Sequence, residues 1–175
     1  IHDFDWHAAK GIQGKLGINL PLRWTPWFKT LRESCAGKRI IAISAEYRWG
    51  RPEKLGVGWR KTGYSIAHGA GSHIVDAAVC LLGSELSEDK AVAIIGVGGI
   101  AAASPSYEYP DTIAAVGKTI NGTLLQFFIS GGRVEPHRHA IHVLTTDGEF
   151  SHVNAGEVDK TLPIRAFVES VHGGS

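Results

Sequence analysis

Residues 112–131 read TIAAVGKTINGTLLQFFISG. Two apolar-rich runs flank Asn121-Gly122, a dipeptide suited to the positive backbone angles of a tight hairpin turn, so the stretch is expected to fold back as two antiparallel strands. HAIHVLTTDGEFSHV, residues 139–153, reads as a second hairpin turning at Asp147-Gly148. Successive hairpins imply a mainly antiparallel sheet. The glycine-rich IIGVGGIA at 94–101 is read in that light. It spells G-x-G-x-x-A after an apolar run, the pattern of a dinucleotide-binding loop, which works only when a helix follows and offers its N-terminus to a pyrophosphate. Here Ala102, Ala103 and Ser104 are followed by Pro105, then SYEYPD with Pro110, which reads as loop. AVAIIGVGG is therefore expected to be a strand with a glycine-rich end.

Outward from the hairpins, RIIAISAEYRWG alternates: Ile41, Ile43, Ala45, Tyr47 and Trp49 point one way, and Ser44, Glu46 and Arg48 the other, as in a half-buried strand. Thr25-Pro26 is a helix start, with Trp27, Phe28, Leu31 and Cys35 on one face and Gly37 as the stop. A second helix is expected to begin near His73, bury Ile74, Ala77, Ala78, Leu81 and Leu82, and end at Gly83. A last one starts at Leu162-Pro163, with Ile164, Phe167, Val168 and Val171 as its apolar face. Residues 3–13 read as the end of a helix, KLGINL as a short strand, and residues 51–65 as a long polar loop carrying aromatics. The expected class is α+β: an open, mainly antiparallel sheet with helices packed on one face and no complete Rossmann domain.

The bulk composition narrows the partners. A chain of 175 residues, 43% hydrophobic and 20% charged, is long enough for one ordinary core. A net charge of +1 without a Lys/Arg cluster gives no field for nucleic acid or an anionic membrane. Cys35 and Cys80 fall in apolar helical patterns and read as buried free thiols. There is no apolar run of membrane-spanning length and no signal-peptide region, so a soluble, cytoplasmic protein is expected. The chain has no Met, which suggests a processed or excised piece.

Nine histidines raise a metal question, sharpest in EPHRHAIH. His137 and His139, two apart on a strand, would share a face as in cupins, but the glutamate four or five residues later is replaced by Val143 and Leu144, and His142 faces away. A solvated strand end without metal is the expectation. No nucleophile elbow, Walker loop or Cys-x-x-Cys occurs. His73 is more informative. It follows a glycine-rich turn and is expected to open its helix, where the helix dipole would keep the ring near neutral, a useful state for proton exchange at pH 7. The other reading is a histidine capping its own helix.

AEYRWGRPE, GWR, GAGSHIVDAAVCLLG, TINGTLLQFF, TTDGEF and IRAFVESVHGG together, in this order and spacing, resemble the C-terminal half of the Gfo/Idh/MocA oxidoreductases, from about Leu16 onward. The resemblance implies a domain that supplies substrate contacts and an oligomer interface, while a separate Rossmann domain binds NAD or NADP. His73 matches the family histidine that serves substrate orientation or proton transfer, and it is the catalytic candidate. Arg23, Arg48, Trp49, Trp59 and Arg60 match positions bordering the substrate and are the binding candidates. Asp76 matches an acid with a structural role. The family pattern D-x-G-x-H has Gly69 in place of its aspartate here, and neither the nucleotide loop nor the E-K-P motif is found. Residues 1–20 would then be the end of a nucleotide-binding domain and linker, and residues 21–175 the substrate-binding and oligomerisation domain. Its implied partners are a sugar-like or cyclitol molecule, further copies through the sheet face, and a Rossmann-domain chain if the enzyme is split. The alternative is a non-catalytic dimerisation or sugar-binding module of the same fold.

Overall fold

The computed structural model describes residues 20–55, 57–58, 65–83, 93–100, 107, 109–132, 136–155 and 158–172. The expected helix at 3–13, most of KLGINL, and Trp59 and Arg60 lie outside these residues. After a 3₁₀ turn at Pro21–Trp24, helix α1 (Pro26–Cys35) buries Phe28, Leu31 and Cys35, and Gly37 ends the excursion with φ 72°. Strand β1 (Ile40–Arg48) follows, then helix α2 (Ser72–Leu82), which buries Ile74, Ala77, Ala78, Leu81 and Leu82. Strands β2 (Ala93–Ile100), β3 (Thr112–Lys118), β4 (Leu124–Ser130), β5 (Arg138–Thr145) and β6 (Gly148–Ala155) precede helix α3 (Leu162–His172).

The six strands form one sheet in the order β2-β3-β4-β1-β5-β6. Four neighbour pairs are antiparallel and only β1 with β4 is parallel. Both hairpins form, the first through a wider turn than expected and the second through a two-residue turn shifted by one position. Thr119 and Thr123 close the first across Asn121-Gly122, through Thr119 N–H to Thr123 O at 2.9 Å, and only Gly122 takes a positive φ, 91°. The wider loop spares Asn121 the left-handed conformation that a tight primed turn demands of it. The second hairpin turns through Thr146-Asp147, one residue earlier than expected, because Thr145 pairs directly with Gly148.

Ile43, Ala45 and Tyr47 of β1 face the helices and are almost wholly buried. The expected alternation fails at one point. Ile41 is 40% exposed while Ile40 is buried, because the pairing of β1 with β5 shifts register between Ile40 and Ala42. Such an irregularity exchanges the two faces beyond it. The core joins α1, α2 and this sheet face through Leu22, Phe28, Leu31, Ile43, Ile74, Leu125 and Val143. Gly71 allows the start of α2 to lie against β4, since a Cβ there would stand 2.6 Å from Ile129 Cδ1.

Candidate functional site

The helix carrying His73 does not start there. Ser65 begins it, accepting Ala67 N–H on its Oγ at 3.2 Å and His68 N–H on its carbonyl at 3.0 Å, and a π-helical turn over Ala67–Gly71 leads into α2. Wide turns of this kind recur at functional sites. His73 therefore sits inside a helical run, and the expected helix-dipole account of its neutrality is replaced by burial. Burial pushes the ring below its ordinary pKa, Lys160 adds to this, and Asp76 opposes it.

Around His73 the fold gathers side chains from two strands. Register places Tyr47 of β1 opposite His139 of β5, both on the helix face. The Tyr47 ring stacks on His73 at 5.8 Å between centroids and meets His139 edge-on at 4.5 Å. His137, just before β5, shares a hydrogen bond between its Nε2 and Tyr47 Oη at 2.9 Å. His139 is 2% exposed, which corrects the expectation of a solvated strand end. Burial, with His137 and His73 beside it, holds the His139 ring down to about 3. His137 is also lowered, by burial, then Arg51, Lys160 and His73. The Nδ1 atoms of His73, His137 and His139 are all buried, with no hydrogen-bond partner among the described residues. Among the described residues no group of three or more His, Cys, Asp or Glu is arranged to hold a metal ion.

The other candidates are dispersed. Arg23 forms a two-point pair with Asp76 of α2, Nε to Oδ2 at 2.8 Å, fastening the 3₁₀ turn to the helix one turn beyond His73. Arg48 pairs with Glu46 on the opposite, open face of the sheet, away from Tyr47 and His73. Trp49 packs against the core and extends β1 by donating its backbone N–H to Ser130 O at 2.6 Å. The sequence singles out His137 and His139 only as a metal pair and Tyr47 only as an inward position of β1; that alternation and the two-residue spacing of the histidines are the signals that bring the three together. A shallow groove of about 480 Å³ lies elsewhere, between α1 and β6, beside the stacked Trp27–His152 pair. The histidine cluster has the denser chemistry, and we place the site there.

Comparison with solved structures agrees with this architecture. A probable dehydrogenase from Thermotoga maritima superposes with a TM-score of 0.78 at 16% identity, over 97% of this chain and 58% of that one. Scyllo-inositol dehydrogenase from Lactobacillus casei, with bound NAD(H) and scyllo-inositol, gives 0.71 at 11% identity, over 95% of this chain and 57% of that one. The fold is that of the C-terminal domain of Gfo/Idh/MocA-type dehydrogenases. A further match, the 3-ketoreductase KijD10 from Actinomadura kijaniata with TDP-benzene and NADP, gives 0.65 at 14% identity, over 97% of this chain and 57% of that one. The chain thus spans little more than half the length of these structures. Scans against family models and curated protein sequences give no match.

Proposed function

We propose that this chain is the substrate-binding domain of an NAD(P)-dependent oxidoreductase acting on a sugar-like or cyclitol alcohol. It would work as part of a longer protein or beside a separate nucleotide-binding chain. The observation that carries this reading is His73: an uncharged, largely buried imidazole beside Tyr47, within a fold otherwise known from inositol and sugar-type dehydrogenases.

The glycine-rich stretch forms a strand instead of the loop that cradles a dinucleotide. Gly96, Gly98 and Gly99 are rungs of β2 paired with β3; a Cβ on Gly99 would strike Pro110 at 2.8 Å, so Gly99 serves close packing, while Gly96 and Gly98 have nothing within 4 Å. The cofactor, which would exchange the hydride, therefore belongs to another domain. This chain supplies the proton side. A neutral imidazole has one nitrogen lone pair free to accept the carbinol proton as the alcohol is oxidised, and the same ring returns it in reduction. The Arg23–Asp76 pair holds the helix that aims the ring. Trp49, Trp59 and Arg60 are assigned to the substrate border by the family resemblance, whereas Arg48, paired with Glu46 on the open face, is not retained there.

Gly69 favours a second reading, a non-catalytic sugar-binding or dimerisation module, because it deprives His73 of the carboxylate that usually precedes it. On either reading the open sheet face, where Val116, Leu124, Leu144 and Val153 are each 43–46% or, for Leu124, 49% exposed, is the surface for a second copy. The deciding experiment follows absorbance at 340 nm while the complete protein is offered NAD or NADP with inositols and aldoses. Reduction of the cofactor is expected with at least one of them. Polyol binding without any reduction would support the module instead. NADH is expected not to bind the isolated chain, and micromolar binding by fluorescence would overturn the account of the glycine stretch.

A further inference from the structure

We propose that the outer edge of β6 is a self-association surface, on which a second copy of this chain adds its own β6 antiparallel, across a twofold axis near Ser151. The contact is separate from the open face of the sheet and does not depend on either functional reading.

β6 ends the sheet, and among the described residues no strand lies beyond it. The two-residue turn makes Thr145 and Gly148 a hydrogen-bonded pair, and the register of β5 with β6 then runs without a shift to Ala155. Alternation commits the backbone groups of Phe150 and His152 to β5 and turns those of Glu149, Ser151 and Val153 outward. These last three residues are exposed. The strand has no proline, lysine or bulge, the devices that usually guard an edge, and its one charged residue is Glu149.

Room for a further strand is present. The groove of about 480 Å³ runs along this edge, between Trp27, Thr30 and Ser34 of α1 and Phe150 and His152 of β6. It opens on the helix face of the sheet, because Phe150 and His152 stand opposite the buried Val143 and Ile141.

Self-complementarity selects a second copy as the occupant. A twofold axis normal to the sheet makes the two β6 strands antiparallel and keeps both α1 helices on one face. Charge excludes an axis at Glu149, which would set two carboxylates directly opposite each other. An axis at His152 opposes two imidazoles and leaves Phe150 facing Asn154. At Ser151 the axis pairs Glu149 with Val153, and Phe150 of each copy with His152 of the other. Those pairs extend the Trp27–His152 stack, whose rings lie 4.4 Å apart, into an aromatic cluster on either side of the axis. The α1 stripe of Trp27, Thr30 and Ser34 is uncharged, so it brings no like charges together there.

The test follows the mass of the full chain by analytical ultracentrifugation. The parent is expected to double its mass as concentration rises through the micromolar range. Ser151→Pro removes an outward N–H that the domain itself does not use, so it should fold and weaken association by about tenfold or more. Amide exchange at Glu149, Ser151 and Val153 in the parent reads the same contact without a substitution, and decides the matter if the proline variant does not fold. It is expected to slow with concentration, at the midpoint seen in the mass. A chain that stays monomeric, with these amides exchanging freely, would overturn the inference and leave the edge to a partner of another kind. Full protection in the monomer would overturn it too, since another segment of the chain would then cover the edge. Association that survives Ser151→Pro but is lost in Val116→Lys would belong to the open face alone, and would equally overturn it.

Discussion

Acidification from pH 7 to pH 5 is expected to remove about 2 kcal/mol of folding stability through His139 alone. The residue is 2% exposed, and its ring is held down to about 3, against an ordinary 6.5. Between those values the unfolded chain binds a proton that the folded chain refuses. The contribution is therefore complete above pH 6.5 and is lost as the pH falls from 6.5 towards 3. At pH 5 the unfolded group lies about 1.5 units below its midpoint, and at about 1.4 kcal/mol per unit this gives the stated loss. For a chain of this size it corresponds to a fall in Tm of about 4–8 °C. His73 and His137 are depressed in the same direction and add to the fall. Urea unfolding at the two pH values, on the parent and on His139→Phe, isolates the term: the variant should lose about 2 kcal/mol less between them. Equal losses in the two proteins would show that the His139 ring titrates normally and would refute the reasoning.

Three further outcomes are expected. His73→Ala in the complete enzyme should lower turnover by about 10² or more, the scale of general acid–base catalysis, and unchanged steady-state rates would reduce His73 to a packing residue. Gly99→Ala should cost about 1–3 kcal/mol in denaturant unfolding because the new methyl meets the rigid Pro110 ring at 2.8 Å, whereas Gly98→Ala, with nothing within 4 Å, should change stability by less than about 0.5 kcal/mol. Equal effects would place the two glycines in some other backbone arrangement. Arg23→Leu should destabilise by about 1–3 kcal/mol, since it strands Asp76, whose side chain is only 9% exposed; thermal unfolding indistinguishable from the parent would mean that water serves Asp76 as well as Arg23 does.

What could be read from the sequence was local. The apolar faces of α1 and α2 follow a period of 3.6, and Asn121-Gly122 and Asp147-Gly148 mark the hairpins, so these elements were legible before any contact was known. Features set by partners were not. The exchange of Ile40 and Ile41 depends on how β5 registers against β1, and the meeting of Tyr47 with His139 depends on the same pairing. The π-helical turn hides the true start of the helix, because the two glycines of IAHGAG at 66–71 read as a loop, and so the neutral state of the His73 ring rests on burial instead of the expected helix dipole. Helix α3 shows the limit of periodicity. Ile164, Val168 and Val171 keep the expected spacing but are 53%, 46% and 44% exposed, since an apolar stripe does not name what covers it.

The parallel pairing of β1 with β4 carries a consequence for how the chain is made. β1 occupies the middle of the sheet, yet it ends at Arg48, and neither neighbour begins until Leu124 and Arg138. Emerging from a ribosome, β1 waits with both edges unpaired until most of the remaining chain has been synthesised. The two hairpins, by contrast, close within a few residues and are expected to form early. The joining of β2-β3-β4 and β5-β6 across β1 is then the late, slow event, because loop closure over that span must precede any reward from its contacts. Until then α2, whose apolar face packs on β1, is the element able to shield it, and a variant that loosens α2 should show its first symptom as poor yield during expression, before any defect in the finished fold.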